Sequence, residues 1–180
     1  LVMAAVVDDH LRDLSFPLHK DAEIIPVSIE SSDGMRIYQR SLTLLLVVAA
    51  RELYPDAGIM VDHSMTRGGF YCDVVGRPPF TRAELTALRR RMAEIVAADE
   101  PITRTQTPLP EAIEIFRRQG YTDKVALLEG AEGRAHVTLV SLRGWHDYFY
   151  GHVVPSTRYV ALFDLQPVAD GFVLAFPHRS

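Results

Sequence analysis

One cysteine, Cys72, stands in this chain of 180 residues, so no disulfide can form within it. That suits a protein kept in a reducing compartment, and a cytoplasmic location is expected. No apolar run approaches the roughly 20 residues that a membrane span needs, and no membrane partner is expected. The opening stretch Leu1 to Val7 is apolar, but no basic leader accompanies it and Asp8-Asp9 follows at once. It reads as a strand, not a signal peptide. The formal net charge is −4, which argues against a surface built for wholesale phosphate binding. The common chemical motifs are missing too. There is no GxxxxGK[ST] phosphate loop, no CxxC, no HExxH and no GxSxG. The chain opens and closes abruptly, ending at Pro177-His178-Arg179-Ser180, and is expected to be a segment of a longer protein.

What is present points to a mixed α+β fold. Met3–Val7, His10–Leu14 and Ile24–Ile29 read as short strands, the last closed by a turn at Ser31-Ser32-Asp33-Gly34. Leu42, Leu45, Leu46, Ala49, Ala50 and Leu53 recur at helical spacing. Leu44, Val47 and Val48 make the other faces apolar, which predicts a deeply buried helix ending at Pro55. Ile59–Ser64 and Phe70–Val75 form a predicted hairpin. Thr81 and Glu84 form a capping-box signature for a second helix with Leu85, Leu88, Met92, Ile95 and Val96 inward. Its Arg89-Arg90-Arg91 run reads as a solvated face. Pro101–Arg104 is a predicted strand, followed by helices over Pro110–Gln119 and Asp123–Glu129. His136–Leu142, Trp145–Gly151, Tyr159–Leu165 and Gly171–Phe176 are predicted strands. The helices thus fall in the middle, with an antiparallel sheet assembled from both ends.

Several side chains carry chemistry. His63, in Asp62-His63-Ser64, is either a general base or a hydrogen-bonded strand residue. In Trp145-His146-Asp147-Tyr148-Phe149-Tyr150-Gly151-His152, strand alternation puts His146, Tyr148, Tyr150 and His152 on one face. That strip either lines a pocket for a planar or ribose-bearing ligand or packs as ordinary sheet. Cys72 has neither positive surroundings nor a helix N-terminus, which favours a buried, inert thiol. Lys124 sits in a first helical turn, where a cation opposes the macrodipole. It either pairs with an acid or anion there or is a plain surface lysine.

Taken in order, these segments resemble the N-terminal region of threonyl-tRNA synthetases. Val6-Val7-Asp8-Asp9-His10-Leu11-Arg12-Asp13-Leu14 resembles the hairpin of a TGS module, a small β-grasp domain. Glu52-Leu53-Tyr54-Pro55-Asp56-Ala57, Gly69-Phe70-Tyr71-Cys72-Asp73-Val74 and Asp123-Lys124-Val125-Ala126-Leu127-Leu128 resemble segments of the editing domain, as does Glu111 to Phe116. Gly151-His152-Val153-Val154-Pro155-Ser156-Thr157 is similar to its Gly-Pro-His-Val-Pro-Ser-Thr segment. The resemblance implies two units: residues 1–34, the later part of a TGS-like module, and residues 35–180, an editing-like domain. It also implies where ligands should be. The family opens its helix with His-Ser-x-x-His, and here the frame reads Arg40-Ser41-Leu42-Thr43-Leu44. The family's later cysteine and histidine fall on Phe149 and Val153, with His152 one place early. No metal is therefore expected. Lys124, Asp147 and Tyr71 match polar editing residues, and Cys72 replaces a tyrosine. The implied pocket comprises Arg40, Ser41, Tyr71, Cys72, Lys124, Asp147, Tyr150 and His152, with His63, Lys124 and Asp147 as weak catalytic candidates.

The departures themselves resemble a second family, the long bacterial uridine kinase-like proteins. Arg40-Ser41-Leu42, His63-Ser64 followed by Tyr71-Cys72, Tyr150-Gly151 with Pro155-Ser156-Thr157, and Phe163-Asp164-Leu165 look like that variant, and Arg158 departs from it. Such a parent implies a downstream P-loop kinase domain as partner, with ATP and Mg2+ bound there and no cofactor in this segment. The chain is then a non-catalytic accessory region that recognises a nucleoside, an amino acid or a tRNA 3′ end. The alternatives are an active aminoacyl-tRNA deacylase, a threonyl-tRNA synthetase-related domain, and an oligomerisation or partner-binding module.

Overall fold

Ser31 starts the longest helix. Its side chain accepts the Gly34 N–H at 3.0 Å, and α1 then runs from Ser32 to Leu53 in the computed structural model, which describes residues 1–131 and 133–178. The predicted turn at 31–34 is thus a helix cap and first turn. Gly34 is needed there because a Cβ would meet the Ser28 carbonyl oxygen at 1.9 Å. The all-round apolar pattern has its expected consequence. Leu42, Leu44, Leu45, Leu46, Ala49 and Ala50 are completely buried, and other elements surround α1.

Three antiparallel sheets are arranged about it. Strands β1 (Val2–Val7), β2 (His10–Asp13) and β3 (Ile24–Ser28) form the first, in the order β2-β1-β3. The hairpin β4 (Gly58–Ser64) and β5 (Phe70–Val75) joins the C-terminal strands β9 (Asp164–Val168) and β10 (Gly171–Ala175) in the order β4-β5-β10-β9. Strands β6 (Thr103–Pro108), β7 (His136–Leu142) and β8 (Trp145–Asp147) form the third. The expected single sheet built from both ends is therefore replaced by three. Among the described residues, the N-terminal strands pair only among themselves, and the last strands pair with the central hairpin.

Helix α2 (Arg82–Ala97) carries both arms of the capping box. The Glu84 N–H donates to Thr81 Oγ1 at 3.1 Å, and the Thr81 N–H donates to Glu84 Oε2 at 2.8 Å. Helices α3 (Leu109–Gln119) and α4 (Thr122–Glu129) cover one face of the third sheet. Beneath them Ala112, Phe116, Leu128, Val137 and Leu139 make a satellite core, separate from the main one around α1. Gly120 ends α3 in the left-handed region at φ 76°.

Three predicted strands differ. Pro101 makes only an isolated bridge to Ser156, and the ladder of β6 starts at Thr103. The strand from Trp145 stops at Asp147, because the Tyr148 N–H turns to Asp147 Oδ1 at 2.7 Å instead of entering a ladder. Gly151, at φ +115°, then turns the chain further. Over Tyr159–Leu165 the chain makes a 3-10 turn, Thr157–Val160, before β9. The Tyr38 hydroxyl holds the connection by donating to the Leu162 carbonyl at 2.6 Å. Among the described residues, no helix is long and apolar enough to cross a membrane. The predicted end at Arg179-Ser180 lies outside the described residues.

Candidate functional site

Strands β6 and β7 pair Arg104 with Val140, Gln106 with Thr138 and Pro108 with His136. Alternation puts these side chains on one face, opposite to Val137 and Leu139 of the satellite core. A cleft of about 590 Å3 lies over that face. Its wall is the irregular segment Tyr148 to His152, and Arg104, Arg134 and His136 add cationic and titratable groups.

Lys124 fixes the wall from behind. Its ammonium donates to the Tyr148 carbonyl at 2.9 Å, lies 3.4 Å from Asp147 Oδ1 and sits 5.8 Å from the Phe149 ring centroid. Of the two expected readings of Lys124, pairing with an acid is the one observed. Burial raises the Asp147 carboxyl above its ordinary value, opposed by Lys124 and by the Tyr148 N–H. Asp147 is thus buried and Lys124 half-buried behind the wall, and neither lines the cleft.

Two further contacts shape the wall. Arg40 Nη1 donates to the His152 carbonyl at 3.0 Å. Its guanidinium lies flat on Gly151, where a Cβ would come within 2.6 Å of Cζ. Burial lowers the pKa of this guanidinium, with Arg36 adding to the effect. The His152 ring is spent on the N-terminal hairpin. Its Nε2 lies 3.1 Å from the Leu11 carbonyl and its Nδ1 3.1 Å from Arg104 Nη1. Arg104 also bonds Asp13. Tyr150 remains 70% exposed, with its ring edge against Tyr148.

The implied pocket residues are thus only partly brought together. Tyr150 and His152 line the cleft, while Lys124, Asp147 and Arg40 hold its wall. Ser41 is fully buried, donating to the Ile37 carbonyl at 2.7 Å and accepting from the Val154 N–H at 2.9 Å. Tyr71 and Cys72 belong to β5 in another sheet and do not line the cleft. Cys72 is fully buried, and burial pushes its thiol up to about 12, as the inert reading requires. His63 is on β4, with Nδ1 2.9 Å from Asp62 Oδ2 and its ring stacked on Tyr71. A register shift between Val61 and His63 permits that neighbour contact. Among the described residues, no hydrogen bond or ion pair joins His63 to Lys124, Asp147 or His152, nor do three His, Cys, Asp or Glu side chains group as a metal would need. The predicted one-sided strip from His146 to His152 is lost after Asp147, where the strand ends.

Sequence reasoning missed Arg104, Arg134 and His136. The alternation of Arg104 and Gln106 along β6 was available, but β6 was expected to end at Arg104. Without the register to β7, nothing connected them to His136.

No protein-family model matches the chain. It is 32% identical over 170 residues to a threonine–tRNA ligase of Polynucleobacter necessarius subsp. necessarius, covering 94% of this chain and 26% of that protein. A threonine–tRNA ligase of Burkholderia lata is 34% identical over 166 residues, covering 92% of this chain and 26% of the relative. The corresponding ligase of Polaromonas naphthalenivorans is 33% identical over 166 residues, with coverage of 92% and 26%. The chain spans about a quarter of the length of the curated relatives it matches. Over nearly its whole length, this chain is therefore related to one region of threonine–tRNA ligases.

Proposed function

We propose that the chain is a recognition region of editing-domain descent, in which the cleft over β6 and β7 binds the ribose-bearing 3′ end of an RNA without cleaving an ester there. One observation carries this reading. The four positions at which the editing resemblance calls for ligands hold Arg40, Leu44, Phe149 and Val153. Leu44 and Val153 are buried, and Arg40 is spent on the His152 carbonyl. Ester hydrolysis at neutral pH needs a positioned base or a metal-bound water, and these side chains supply neither. Arg134, which no ion pair occupies among the described residues, and the exposed Tyr150 ring suit binding: arginine pairs with phosphate, and an aromatic face stacks on a base. Arg104, by contrast, is already paired with Asp13. In this reading residues 1–34 are the TGS-like part and residues 35–180 the editing-like part.

Isothermal titration with tRNA, threonine and nucleosides tests it. Binding of tRNA is expected, weakened about tenfold or more by Tyr150→Ala, since a base–aromatic stack contributes roughly 1–3 kcal/mol. Mischarged Ser-tRNA should keep its serine. Release of serine at a rate that Lys124→Ala lowers would replace this reading with an active deacylase. Absence of binding to all three would leave a structural role.

The same substitutions support a finer assignment, to a long uridine kinase-like nucleoside kinase. ATP and Mg2+ would then belong to a separate P-loop domain and not to this region. Reading the gene beyond the codon for Ser180 decides it. A GxxxxGK[ST] motif supports the kinase, and a synthetase catalytic domain there would assign the region to a ligase.

A further inference from the structure

Helix α2 carries a second seam beside its core stripe. Leu85, Leu88, Met92 and Ile95 face the core. Arg82, Thr86, Arg89, Ala93 and Ala97 follow at i, i+4, i+7, i+11 and i+15, about a third of a turn around the helix. Two adjoining cavities lie along this seam, of about 590 Å3 and 350 Å3, sharing Arg89 and Ala93. Leu165 and Pro167 of β9 close the far side of the first, and Ala161 and Phe163 that of the second. The groove runs the length of α2, about 22 Å at 1.5 Å per residue.

Its charge is arranged in one direction. The chain as a whole carries −4, yet three arginines line the groove against a single acid, Asp164. Arg89 crosses the groove and neutralises Asp164 at 3.2 Å. Among the described residues, Arg82 and Arg90 have no ion-pair partner, and both are exposed. Arg82 also opens the helix, where a cation is unfavourable for the macrodipole. Helix stability therefore gives no reason for it. The other half of the groove, around Ala93, Val96, Ala97, Ala161 and Phe163, is apolar apart from the mutually paired Arg89 and Asp164. Strand addition is not what the neighbouring edge offers, since β9 is an edge strand and Pro167 has no N–H to donate.

We propose that this groove docks an acidic amphipathic polypeptide segment by its side chains. Carboxylates pair with Arg82 and Arg90, and apolar side chains fill the half around Ala93 and Phe163. A nucleic acid would use the arginines but leave the apolar half uncovered, so a peptide is the better fit. The site lies on a different sheet from the cleft over β6 and β7 and does not depend on the function proposed for it.

The test uses the 180-residue chain and a fluorescein-labelled 16-residue peptide with a leucine- and alanine-rich half followed by a glutamate-rich half. Anisotropy should show binding at least tenfold tighter than for the same residues scrambled. The double variant R82E/R90E should lose at least tenfold, and so should Ala93→Lys, with circular dichroism and Tm unchanged for both. Three results overturn the proposal: no binding, equal binding of the scrambled peptide, or binding untouched by either variant. Poly(U) RNA that binds with the same dependence on Arg82 and Arg90 but none on Ala93 would overturn it in favour of a phosphate-binding surface.

Discussion

Arg104 of β6 lies 3.1 Å from Nδ1 of His152, and this contact selects the tautomer of the ring. Arginine has only donors, so Nδ1 must accept. The ring proton then sits on Nε2 and is given to the Leu11 carbonyl 3.1 Å away. Through this ring and the Arg104–Asp13 ion pair, the first sheet is tied to the cleft wall. His152→Ala should therefore cost about 1–2 kcal/mol, by the usual worth of hydrogen bonds to neutral and charged groups. Amide exchange should quicken at Leu11–Asp13 before it does in α1. Unchanged exchange in that hairpin would show that the clasp holds nothing.

A side chain at Gly151 should be strained. A Cβ there would lie 2.6 Å from Arg40 Cζ, and φ is +115°, a conformation that side chains avoid. Gly151→Ala is expected to cost roughly 1–3 kcal/mol. In an Arg40→Ala background the steric part is relieved, so the further cost of Gly151→Ala, read from denaturant melts against Arg40→Ala alone, should shrink but not vanish. A cost that vanishes would mean that the backbone strain is absent.

Ser41→Ala removes the acceptor of the buried Val154 N–H. An unsatisfied buried donor costs about 1–3 kcal/mol. The loss should appear as a lower denaturant midpoint with an unchanged slope. A midpoint equal to wild type would mean that the N–H finds another partner.

Acid should affect the ion pairs and Asp147 in opposite senses. Burial works to raise Glu52 and Asp13, but Arg143 and Arg91 for the first, and Ser15 and Arg104 for the second, bring both below their ordinary values. Their stabilisation is present above the unfolded values of 4.5 and 3.8 and is lost as pH falls through the lowered ones. Asp147 is raised, chiefly by burial. Its folded form binds the proton first, so its contribution to stability improves as pH falls through its raised value toward 3.8. The difference in unfolding free energy between wild type and Asp147→Asn should therefore shift in favour of wild type as the pH drops toward 4. A difference that stays flat would show that the carboxyl is not perturbed.

Much of the fold was legible because local rules agreed with the tertiary context. The Thr81–Glu84 box, the all-round apolar face of α1 and the glycine stop at Gly120 each act within a few residues, and each appears as expected. The site was less legible. The resemblance groups Tyr71 and Cys72 with Lys124 and Asp147, yet strand pairing puts Tyr71 and Cys72 in a different sheet from Asp147, whose partner Lys124 is on α4. The segment after Asp147 looked like a continuing strand of alternating aromatics. One side-chain acceptor, Asp147 Oδ1, captures the Tyr148 N–H and ends it.

The sequence by itself determined the helices, most of the strands and the mixed α+β class, since helix period, caps and turn residues are local and the apolar supply is ample. It also determined that Leu44, Phe149 and Val153 offer no acid, base or metal ligand, which is a matter of residue type alone. The tertiary structure decided which strands share a sheet, and so which distant side chains meet. It brought Arg104 opposite Val140, set His152 against Leu11 and, among the described residues, left Arg82 and Arg90 without ion-pair partners along the α2–β9 groove. Those outcomes depend on register and on long-range contacts, whose partners lie dozens of residues apart, and no local pattern specifies them.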